Sequence, residues 1–169
     1  MIFQNMNNFS IQVNGNTFWI SRSIAVLGII TGFDKDGIQY VLATQRGKGT
    51  PDPAFVGCWC LPCGYLDYDE TLKEAISREV LEETGLKIDK SLFSLLSINS
   101  NPEEKRQNVT IRFGRKLSSP IEDYELSTEF SEPDEIEAVK WIPIYEYFKY
   151  KWAFNHDKLI KEYVLDSRH

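Results

Sequence analysis

The chain has 169 residues, of which 42% are hydrophobic and 26% are charged, and this composition is typical of a soluble globular protein. Its formal net charge of −6 argues against binding to duplex nucleic acid, because such proteins need a basic face to neutralise phosphates. The charge does not exclude phosphate substrates, since a bound divalent cation can reverse the field inside one cleft of an acidic protein.

Two dipeptides in the amino-terminal third, Asn14-Gly15 and Asp36-Gly37, are strong signals for two-residue hairpin turns. Apolar and β-branched runs flank both of them, so the sequence predicts two β-hairpins. We expect the first, within residues 1–22, to be an amino-terminal extension. The predicted strands are Ile11–Val13, Thr17–Ile20, Ile24–Phe33 and Ile38–Thr44.

The rest of the chain alternates between strand-like and helical patterns. Thr71 and Glu74 form the capping-box pattern at the start of a helix, and Gly85 supplies its carboxyl-terminal stop. Asn155 is predicted to cap a last helix that runs to Val164. These elements predict a single α/β domain over residues 1–169, with a mixed sheet covered on both faces. Further strands are predicted around Cys58–Leu61 and at Leu92–Ile98, Val109–Leu117 and Ile136–Ile142, with loops at Gln45–Pro53, Pro62–Glu70 and Asn99–Asn108.

The sequence gives no sign of secretion or of membrane insertion. The amino terminus lacks the basic region and apolar core of a signal peptide, and the longest apolar run, Ile24–Ile30, is too short to cross a bilayer. The three cysteines, Cys58, Cys60 and Cys63, cannot all pair within the chain, which is typical of free thiols in a reducing compartment. We therefore expect a cytoplasmic protein with no membrane span.

The first predicted helix carries acidic residues where apolar ones are expected. On a helical wheel of about 100° per residue, Glu79 and Glu83 fall inside the apolar stripe and Glu82 falls beside it. Carboxylates at these spacings repel one another, and burial without a partner raises their pKa values or breaks the helix. The apolar positions of the stripe are Leu72, Ala75, Ile76 and Val80.

A bound cation would offset this crowding of carboxylates. Hard oxygen ligands clustered at one helical turn suit Mg²⁺ or Mn²⁺, and Mg²⁺ commonly shares its coordination shell with water and substrate phosphates. A solvated acidic face, as on most Glu-rich helices, is the alternative explanation for the same residues. The inward position of two of the three carboxylates favours the cation and so predicts phosphate chemistry.

A longer pattern surrounds these carboxylates. Every defined position of the Nudix box is present in the segment Gly64-x5-Glu70-x7-Arg78-Glu79-Val80-x-Glu82-Glu83-x-Gly85-Leu86, and the chain therefore resembles the Nudix hydrolase family. Trp59-x-Leu61-Pro62 and Glu135…Trp141-Ile142-Pro143 are similar to segments that flank the box in that family. The resemblance implies an α/β/α sandwich with a mixed β-sheet, in which residues 64–86 form a loop–helix–loop.

The resemblance also implies roles for residues of the box. Glu79, Glu82 and Glu83 would be metal ligands, and the backbone carbonyl of Cys63 would be another. Arg78 would pair with a box carboxylate and fix its orientation. Many relatives have glycine in place of Cys63. The carbonyl ligand survives this departure, but the backbone freedom of a glycine does not, so the conformation of the loop is open.

Acidic residues outside the predicted helix complete the implied site. Glu70 would steady the loop or hold a water molecule. Glu135 lies six residues before Trp141, which is the spacing at which many relatives place a further carboxylate ligand. The alternative for Glu135 is a surface acid within the acidic stretch 129–137. The candidates for the general base are Glu79, Glu103, Glu104 and Glu135.

The sequence says less about the residues that contact substrate. A nucleoside needs an aromatic surface for stacking, although aromatics near the box are more often core residues, Trp59 most of all. Arg46 either contacts a phosphate or is solvated. Pro102 lies sixteen residues beyond Leu86, about the distance at which the ADP-ribose-cleaving branch of the family carries a proline, but one proline is weak support. The candidate stacking residues are Phe55, Trp59, Tyr65 and Tyr68.

The function implied by the resemblance is hydrolysis of a nucleoside diphosphate linked to another moiety, such as ADP-ribose or a nucleotide sugar, with Mg²⁺ or Mn²⁺ as cofactor. The alternative is a domain of this family that binds such a ligand as a sensor without cleaving it. Sensor domains usually lose box carboxylates, and this chain keeps them all. The expected partner is a small molecule, and the hairpin around Asn14-Gly15 is a candidate homodimer contact.

Overall fold

The structure is a computed structural model that describes residues 8–101 and 108–165. Pro102, Glu103 and Glu104, which carry predictions made above, lie outside the described residues. In chain order the elements are β1 (Phe9–Val13), β2 (Asn16–Ile20), β3 (Ser23–Phe33), β4 (Gln39–Arg46), β5 (Trp59–Cys60), β6 (Cys63–Tyr65), α1 (Leu72–Thr84), β7 (Ser94–Asn99), β8 (Asn108–Lys116), β9 (Ile136–Pro143) and α2 (His156–Leu165).

A mixed seven-stranded sheet forms the body of the protein, with β3 at its centre. β3 pairs in parallel with β8 and antiparallel with β4 and β6. β9 and β5 pair antiparallel with β4, and β7 pairs antiparallel with β8. The hairpins predicted at Asn14-Gly15 and Asp36-Gly37 are both present, as β1–β2 and β3–β4.

The central hairpin splits along its length. β3 and β4 pair only between Thr31–Phe33 and Gln39–Val41, after which β6 takes the place of β4 beside β3 and β5 takes the place of β3 beside β4. The carbonyl of Pro62, in the link between β5 and β6, accepts a hydrogen bond from Gly28 N–H at 2.9 Å. The prediction of a loop throughout 62–70 is therefore wrong at Cys63–Tyr65, which is a strand.

Two apolar layers lie on opposite faces of the sheet, as the alternation of side chains along β3 requires. Val26 belongs to the layer that α1 covers with Ile76, and the next residue, Leu27, belongs to the layer that α2 covers with Ile160. All four side chains are buried to 2% exposure or less. The predicted α/β architecture, with a mixed sheet covered on both faces, is confirmed.

The start of α2 differs from its prediction. Asn155 directly precedes the helix, but its φ of 61° is left-handed, whereas a capping residue at a helix start has extended backbone. Phe154 before it is also left-handed, with φ of 56°. Within the described part of the chain, no helix is long and apolar enough to cross a membrane.

Candidate functional site

Helix α1 is fixed at both ends by the residues that predicted it. Thr71 Oγ1 accepts a hydrogen bond from Glu74 N–H, and the Glu74 carboxylate accepts one from Thr71 N–H at 2.8 Å, which completes the capping box. At the other end, Gly85 N–H donates to the Leu81 carbonyl at 2.8 Å with a left-handed φ of 73°. The orientation of α1 therefore follows from its own sequence.

Two carboxylates of α1 are buried, as the helical wheel predicts. Glu79 is 9% exposed and Glu83 is 2% exposed, whereas Glu82 keeps 42% of its side chain exposed. Leu81, which the wheel places on the outer side, is half-buried. A solvated acidic face is therefore excluded for Glu79 and Glu83.

Arg78 holds most of the box carboxylates in place. Its Nε and Nη2 donate to the two oxygens of Glu70 at 3.0 and 2.7 Å, in a bidentate pair. Its Nη1 donates to Glu79 Oε1 at 2.8 Å and to Glu82 Oε2 at 2.9 Å. Nη2 also donates to the carbonyl of Tyr65 at 3.0 Å, so the same guanidinium ties α1 to the end of β6.

Glu83 lies apart from this arginine and faces the split in the sheet. Its Oε2 accepts hydrogen bonds from Cys63 N–H at 3.2 Å and from Thr44 Oγ1 at 3.4 Å. Its Oε1 is buried and has no hydrogen-bond partner among the described residues. A buried carboxylate oxygen without a partner is costly, and a cation ligated there would satisfy it.

Gly64 allows the sheet and the helix to come together at the box. A Cβ atom placed on Gly64 would overlap with the carboxylate of Glu79. The helix therefore seats a charged group directly on the backbone of β6, beside the Cys63 carbonyl. This close approach gives a physical reason for glycine at the first position of the box.

The surroundings shift the pKa values of these carboxylates in opposite directions. Burial raises the pKa of Glu79 to about 7, although the nearby Arg78 acts to lower it. Burial, together with the charges of Cys60 and Glu79, raises the pKa of Glu83 well above its usual range. Hydrogen bonding from Arg78 lowers the pKa of Glu70. The protein therefore disfavours the ionised forms of Glu79 and Glu83, and a proton or a cation would relieve this cost.

The β4–β9 pairing brings Glu135 to the carboxylates of the box. Ile136 pairs with Arg46 at the end of β4, and the Glu135 carbonyl accepts a hydrogen bond from Gly47 N–H at 2.7 Å. The Glu135 side chain is half-buried, and its charge contributes to the raised pKa values of Glu79 and Glu83. Its own pKa is raised, mainly by burial.

Arg46 is neither in a loop nor solvated, and both expectations are corrected. It is the last residue of β4 and is 8% exposed. Its Nε donates to Thr50 Oγ1 at 2.8 Å, and its guanidinium carbon lies 5.3 Å from the centre of the Phe154 ring. Phe55 packs on the same ring, with the two centroids 4.4 Å apart. The protein thus holds Arg46 and Phe55 in one cation–aromatic cluster.

The predicted stacking residues divide into a buried and an exposed group. Trp59 is 8% exposed and packs edge-on against Tyr150, with Lys140 Nζ 4.5 Å from the centre of its ring. Because protein groups already cover its ring, the prediction that Trp59 stacks on substrate is corrected to a core role. Tyr65 is 58% exposed, and Tyr68 is fully exposed.

The oxygen donors at this site suit a hard divalent cation, but their side chains are not arranged around one common point. Within residues 8–101 and 108–165, no three His, Cys, Asp or Glu side chains are close enough together to hold a metal ion. Glu79 and Glu82 turn toward Arg78, whereas Glu83 turns toward Cys63. The unpartnered Oε1 of Glu83 and the raised pKa of Glu79 are nevertheless what a cation would relieve, so the donor set fits Mg²⁺ or Mn²⁺.

One buried residue next to the site was not predicted from the sequence. His156 is 2% exposed, and its Nδ1 accepts a hydrogen bond from Leu61 N–H at 3.0 Å. The two residues are 95 positions apart, and only the folded arrangement of α2 against β5 brings them together. A local sequence pattern marks His156 only as the start of a helix.

Comparison with known proteins agrees with this geometry. The NUDIX domain family model matches residues 21–163. The ADP-ribose pyrophosphatase of Methanocaldococcus jannaschii is 32% identical over 146 residues, which make up 86% of this chain and 75% of that protein.

Solved structures share the fold. The NUDIX domain of Shewanella oneidensis NrtR, complexed with ADP ribose, has a TM-score of 0.69 at 23% identity, covering 86% of this chain and 88% of that one. A MutT/nudix family protein from Enterococcus faecalis has a TM-score of 0.59 at 26% identity over 73% of this chain, which spans 44% of that one. The chain therefore belongs to the NUDIX family, as its box predicts, and is a hydrolase of pyrophosphate bonds in nucleoside diphosphate derivatives.

Proposed function

We propose that the protein hydrolyses the diphosphate bond of ADP-ribose, releasing AMP and ribose 5-phosphate, with Mg²⁺ or Mn²⁺ as cofactor. The observation that carries the reaction is the buried carboxylate of Glu83, whose free oxygen lies in the box beside a second buried carboxylate, Glu79. The choice of substrate is supported by the relative named ADP-ribose pyrophosphatase, which is 32% identical to this chain.

The cation would be held by Glu79, Glu82, Glu83, the carbonyl of Cys63 and Glu135. A divalent cation bound there neutralises phosphate charge and makes a water molecule more acidic. Glu79 and Glu82 each accept from one nitrogen of Arg78 through a single oxygen, which leaves the second oxygen of each carboxylate for the cation. Arg78 would keep its bidentate pair with Glu70 and so keep α1 aligned with β6.

The protein's own contribution to the reaction is mainly positioning. Glu79 and Glu135 are the described candidates for taking the proton of the attacking water. Tyr65, exposed at the end of β6, is the residue we propose for stacking on the adenine. Arg46, held close to Glu135, would attract the diphosphate by its charge.

We also propose that residues 1–169 form one domain with the β1–β2 hairpin as an extension, and that this hairpin is a contact between two copies of the chain. Five apolar residues lie on one face of the hairpin, and all of them except the half-buried Ile20 are exposed. These residues are Phe9, Ile11, Val13, Phe18 and Ile20.

The test of function is phosphate release from a panel of ADP-ribose, dinucleoside polyphosphates, nucleotide sugars and oxidised nucleoside triphosphates. The protein is incubated with each compound and Mg²⁺. A phosphatase then frees inorganic phosphate from monoester products of the compounds whose phosphates are blocked at both ends, and inorganic pyrophosphatase replaces it for the nucleoside triphosphates, which a phosphatase attacks directly. We expect the highest kcat/KM on ADP-ribose, whose two products are both monoesters. Faster phosphate release from another compound would show that this compound, and not ADP-ribose, is the preferred substrate. Tight binding of ADP-ribose without any turnover would favour a sensor.

A further inference from the structure

The segment that leads into α2 acts as an extra strand beside β5. Trp59 N–H donates to the Lys151 carbonyl at 2.8 Å, and Ala153 N–H donates to the Trp59 carbonyl at 2.8 Å. These two bonds form a parallel bridge between Trp59 and Trp152. β5 is therefore bonded on both edges, to β4 on one side and to residues 151–153 on the other.

The imidazole of His156 continues this short ladder. In a regular parallel ladder the next donor, Leu61 N–H, would reach the Ala153 carbonyl. Here Leu61 N–H donates to His156 Nδ1 at 3.0 Å, and the Ala153 carbonyl instead accepts from His156 N–H at 3.0 Å. The side chain of His156 thus replaces a strand carbonyl, while its backbone begins α2.

The backbone before His156 is bent, and this bend lets the His156 side chain take the place of the Ala153 carbonyl. Phe154 and Asn155 are both left-handed, with φ of 56° and 61°, and such a conformation is unfavourable for a residue other than glycine. It persists only where surrounding contacts fix it. The Phe154 ring contacts Phe55 and lies 5.5 Å from the His156 ring, so the bend is packed from both sides.

Leu61 is only two residues from the backbone that meets the box. Between them, the Pro62 carbonyl is tied to Gly28 N–H, and Cys63 N–H donates to Glu83 Oε2 at 3.2 Å. A shift of Leu61 would therefore act on Cys63, which lies two residues on and pairs with Leu27 of β3. His156 is buried to 2% exposure, so no water competes with it for Leu61 N–H.

We propose that His156 is a positioning residue, which holds the backbone at Leu61 so that Cys63 presents its N–H to Glu83 and its carbonyl to the cation. The part that concerns the cation rests on the proposed function. The hydrogen bond from Leu61 N–H to His156 does not rest on it, and amide exchange measures that bond directly.

Three variants test this role. His156→Leu removes the acceptor, and His156→Asn keeps an oxygen close to the position of Nδ1. Ile160→Ala is the matched control, because Ile160 is equally buried one turn later in α2 and contacts the apolar layer, not β5 through a hydrogen bond. Ile160→Val replaces it if the alanine variant does not fold. Each is measured for amide hydrogen exchange at Leu61 and Cys63 in EDTA, for Mn²⁺ affinity, and for kcat and KM.

We expect His156→Leu to speed exchange at both amides, and to weaken Mn²⁺ binding and lower kcat by about 10-fold or more, with a smaller change in KM. His156→Asn should recover most of each loss. Ile160→Ala should lower the melting temperature and speed exchange at core amides by a similar factor throughout the protein, whereas the increase in His156→Leu should be larger at Leu61 and Cys63 than at other core amides. Mn²⁺ affinity of Ile160→Ala should stay within about twofold of the wild type.

Unchanged exchange in His156→Leu would overturn the inference, whatever the activity of the protein. So would equal losses in the Ile160 variant, since the effect would then be general destabilisation. Faster exchange with unaltered Mn²⁺ affinity would refute the link from Leu61 to the cation. A wild-type protein that binds no Mn²⁺ and cleaves nothing would refute the proposed function. Amide hydrogen exchange would then be the measurement that decides whether His156 fixes the backbone at Leu61.

Discussion

Glu70 and Glu83 belong to the same box, but their surroundings act on them in opposite directions. Arg78 donates two hydrogen bonds to Glu70 and lowers its pKa. Glu83 is buried, keeps one oxygen without a partner and has a raised pKa. The first carboxylate is satisfied by the protein, and the second is satisfied only by a ligand or a proton. At the scale of single residues, this contrast supports the proposal that Glu70 steadies the site and that Glu83 is a ligand.

Replacing Glu83 by glutamine tests the binding role. The amide keeps the shape of the side chain but removes the charge that a cation needs. We expect Mg²⁺ to raise the melting temperature of the wild type. We expect Glu83→Gln to abolish this rise and to lower kcat/KM by about 100-fold or more. A titration of activity and of melting temperature with Mg²⁺ measures both.

The matched control for this variant is Glu74→Gln on the same helix. Glu74 is in the capping box, where glutamine also serves, and among residues 8–101 and 108–165 its ion pair is with the exposed Lys90. Turnover and Mg²⁺ response should stay close to those of the wild type. Wild-type metal affinity in Glu83→Gln would contradict the assignment of Glu83 as a ligand.

The raised pKa of Glu79 makes stability depend on pH when no metal is bound. Its folded pKa is about 7, above the usual 4.5, so the folded protein holds this proton more tightly than the unfolded chain. The resulting stabilisation is fully present below pH 4.5 and is lost as pH rises through about 7. We expect the free energy of unfolding in EDTA to fall more steeply over this range in the wild type than in Glu79→Gln.

Urea denaturation at several pH values measures this difference, and titrating groups distant from Glu79 cancel in the comparison. Mg²⁺ competes with the proton for the carboxylate, so its apparent affinity should rise over the same interval. Parallel pH profiles for the wild type and Glu79→Gln would show that burial does not hold the proton on Glu79.

At the scale of elements, local sequence patterns were sufficient to predict α1 and insufficient to predict its neighbours. The capping box, the apolar stripe and Gly85 all lie within the helix or next to it, and they fixed its bounds. The strand Cys63–Tyr65 has no such signal, because it exists only through pairing with β3. Glu135 was a candidate through its spacing from Trp141, but only the β4–β9 register, formed between distant segments, brings it to the box.

Side-chain roles showed a similar division. The burial of Glu79 and Glu83 followed from helical periodicity, which is local. The burial of Arg46 did not, because its partners Thr50 and Phe154 lie in a loop and in the turn before α2. For most residues on a regular element the face was predictable, Leu81 of α1 being an exception. Where tertiary contacts decided a residue's surroundings, the face was not predictable.

The contact between β6 and α1 gives a prediction at this scale. A methyl group at Gly64 would overlap with the Glu79 carboxylate, so Gly64→Ala must displace that side chain or separate the two elements. Small displacements of reacting groups are costly, and we expect kcat to fall by about 100-fold. Steady-state kinetics at saturating Mg²⁺ measures the loss.

Gly37→Ala is the control for this substitution. Gly37 has a φ of 81° and open space around its Cα, so alanine there strains the β3–β4 turn without touching the box. It should cost about 1 kcal/mol of stability and leave kcat unchanged. Equal kcat values for Gly64→Ala and the wild type would mean that Glu79 is free to move without affecting the reaction.

At the scale of the whole molecule, the β1–β2 hairpin stands apart from the main sheet. Its turn residues Asn14 and Gly15 both have positive φ, 50° and 81°, which is the geometry that suits a two-residue hairpin. Two-stranded hairpins are only marginally stable in water without a covering surface. Phe18 and Trp19 are nevertheless 49% and 72% exposed. A hairpin of this kind gains stability when another surface covers its apolar face.

A second copy of the chain is the cover we propose, because a twofold axis places the same apolar face on both sides of one interface. Ile11 pairs with Phe18 on that face, whereas Gln12 pairs with Thr17 on the opposite one. We expect sedimentation to show a dimer for the wild type and a monomer for the double variant Ile11→Ser, Phe18→Ser. The control Gln12→Ser, Thr17→Ser changes the other face of the same hairpin and should remain dimeric. A monomeric wild type at high concentration, or a dimer that survives loss of Ile11 and Phe18, would place the contact elsewhere or remove it.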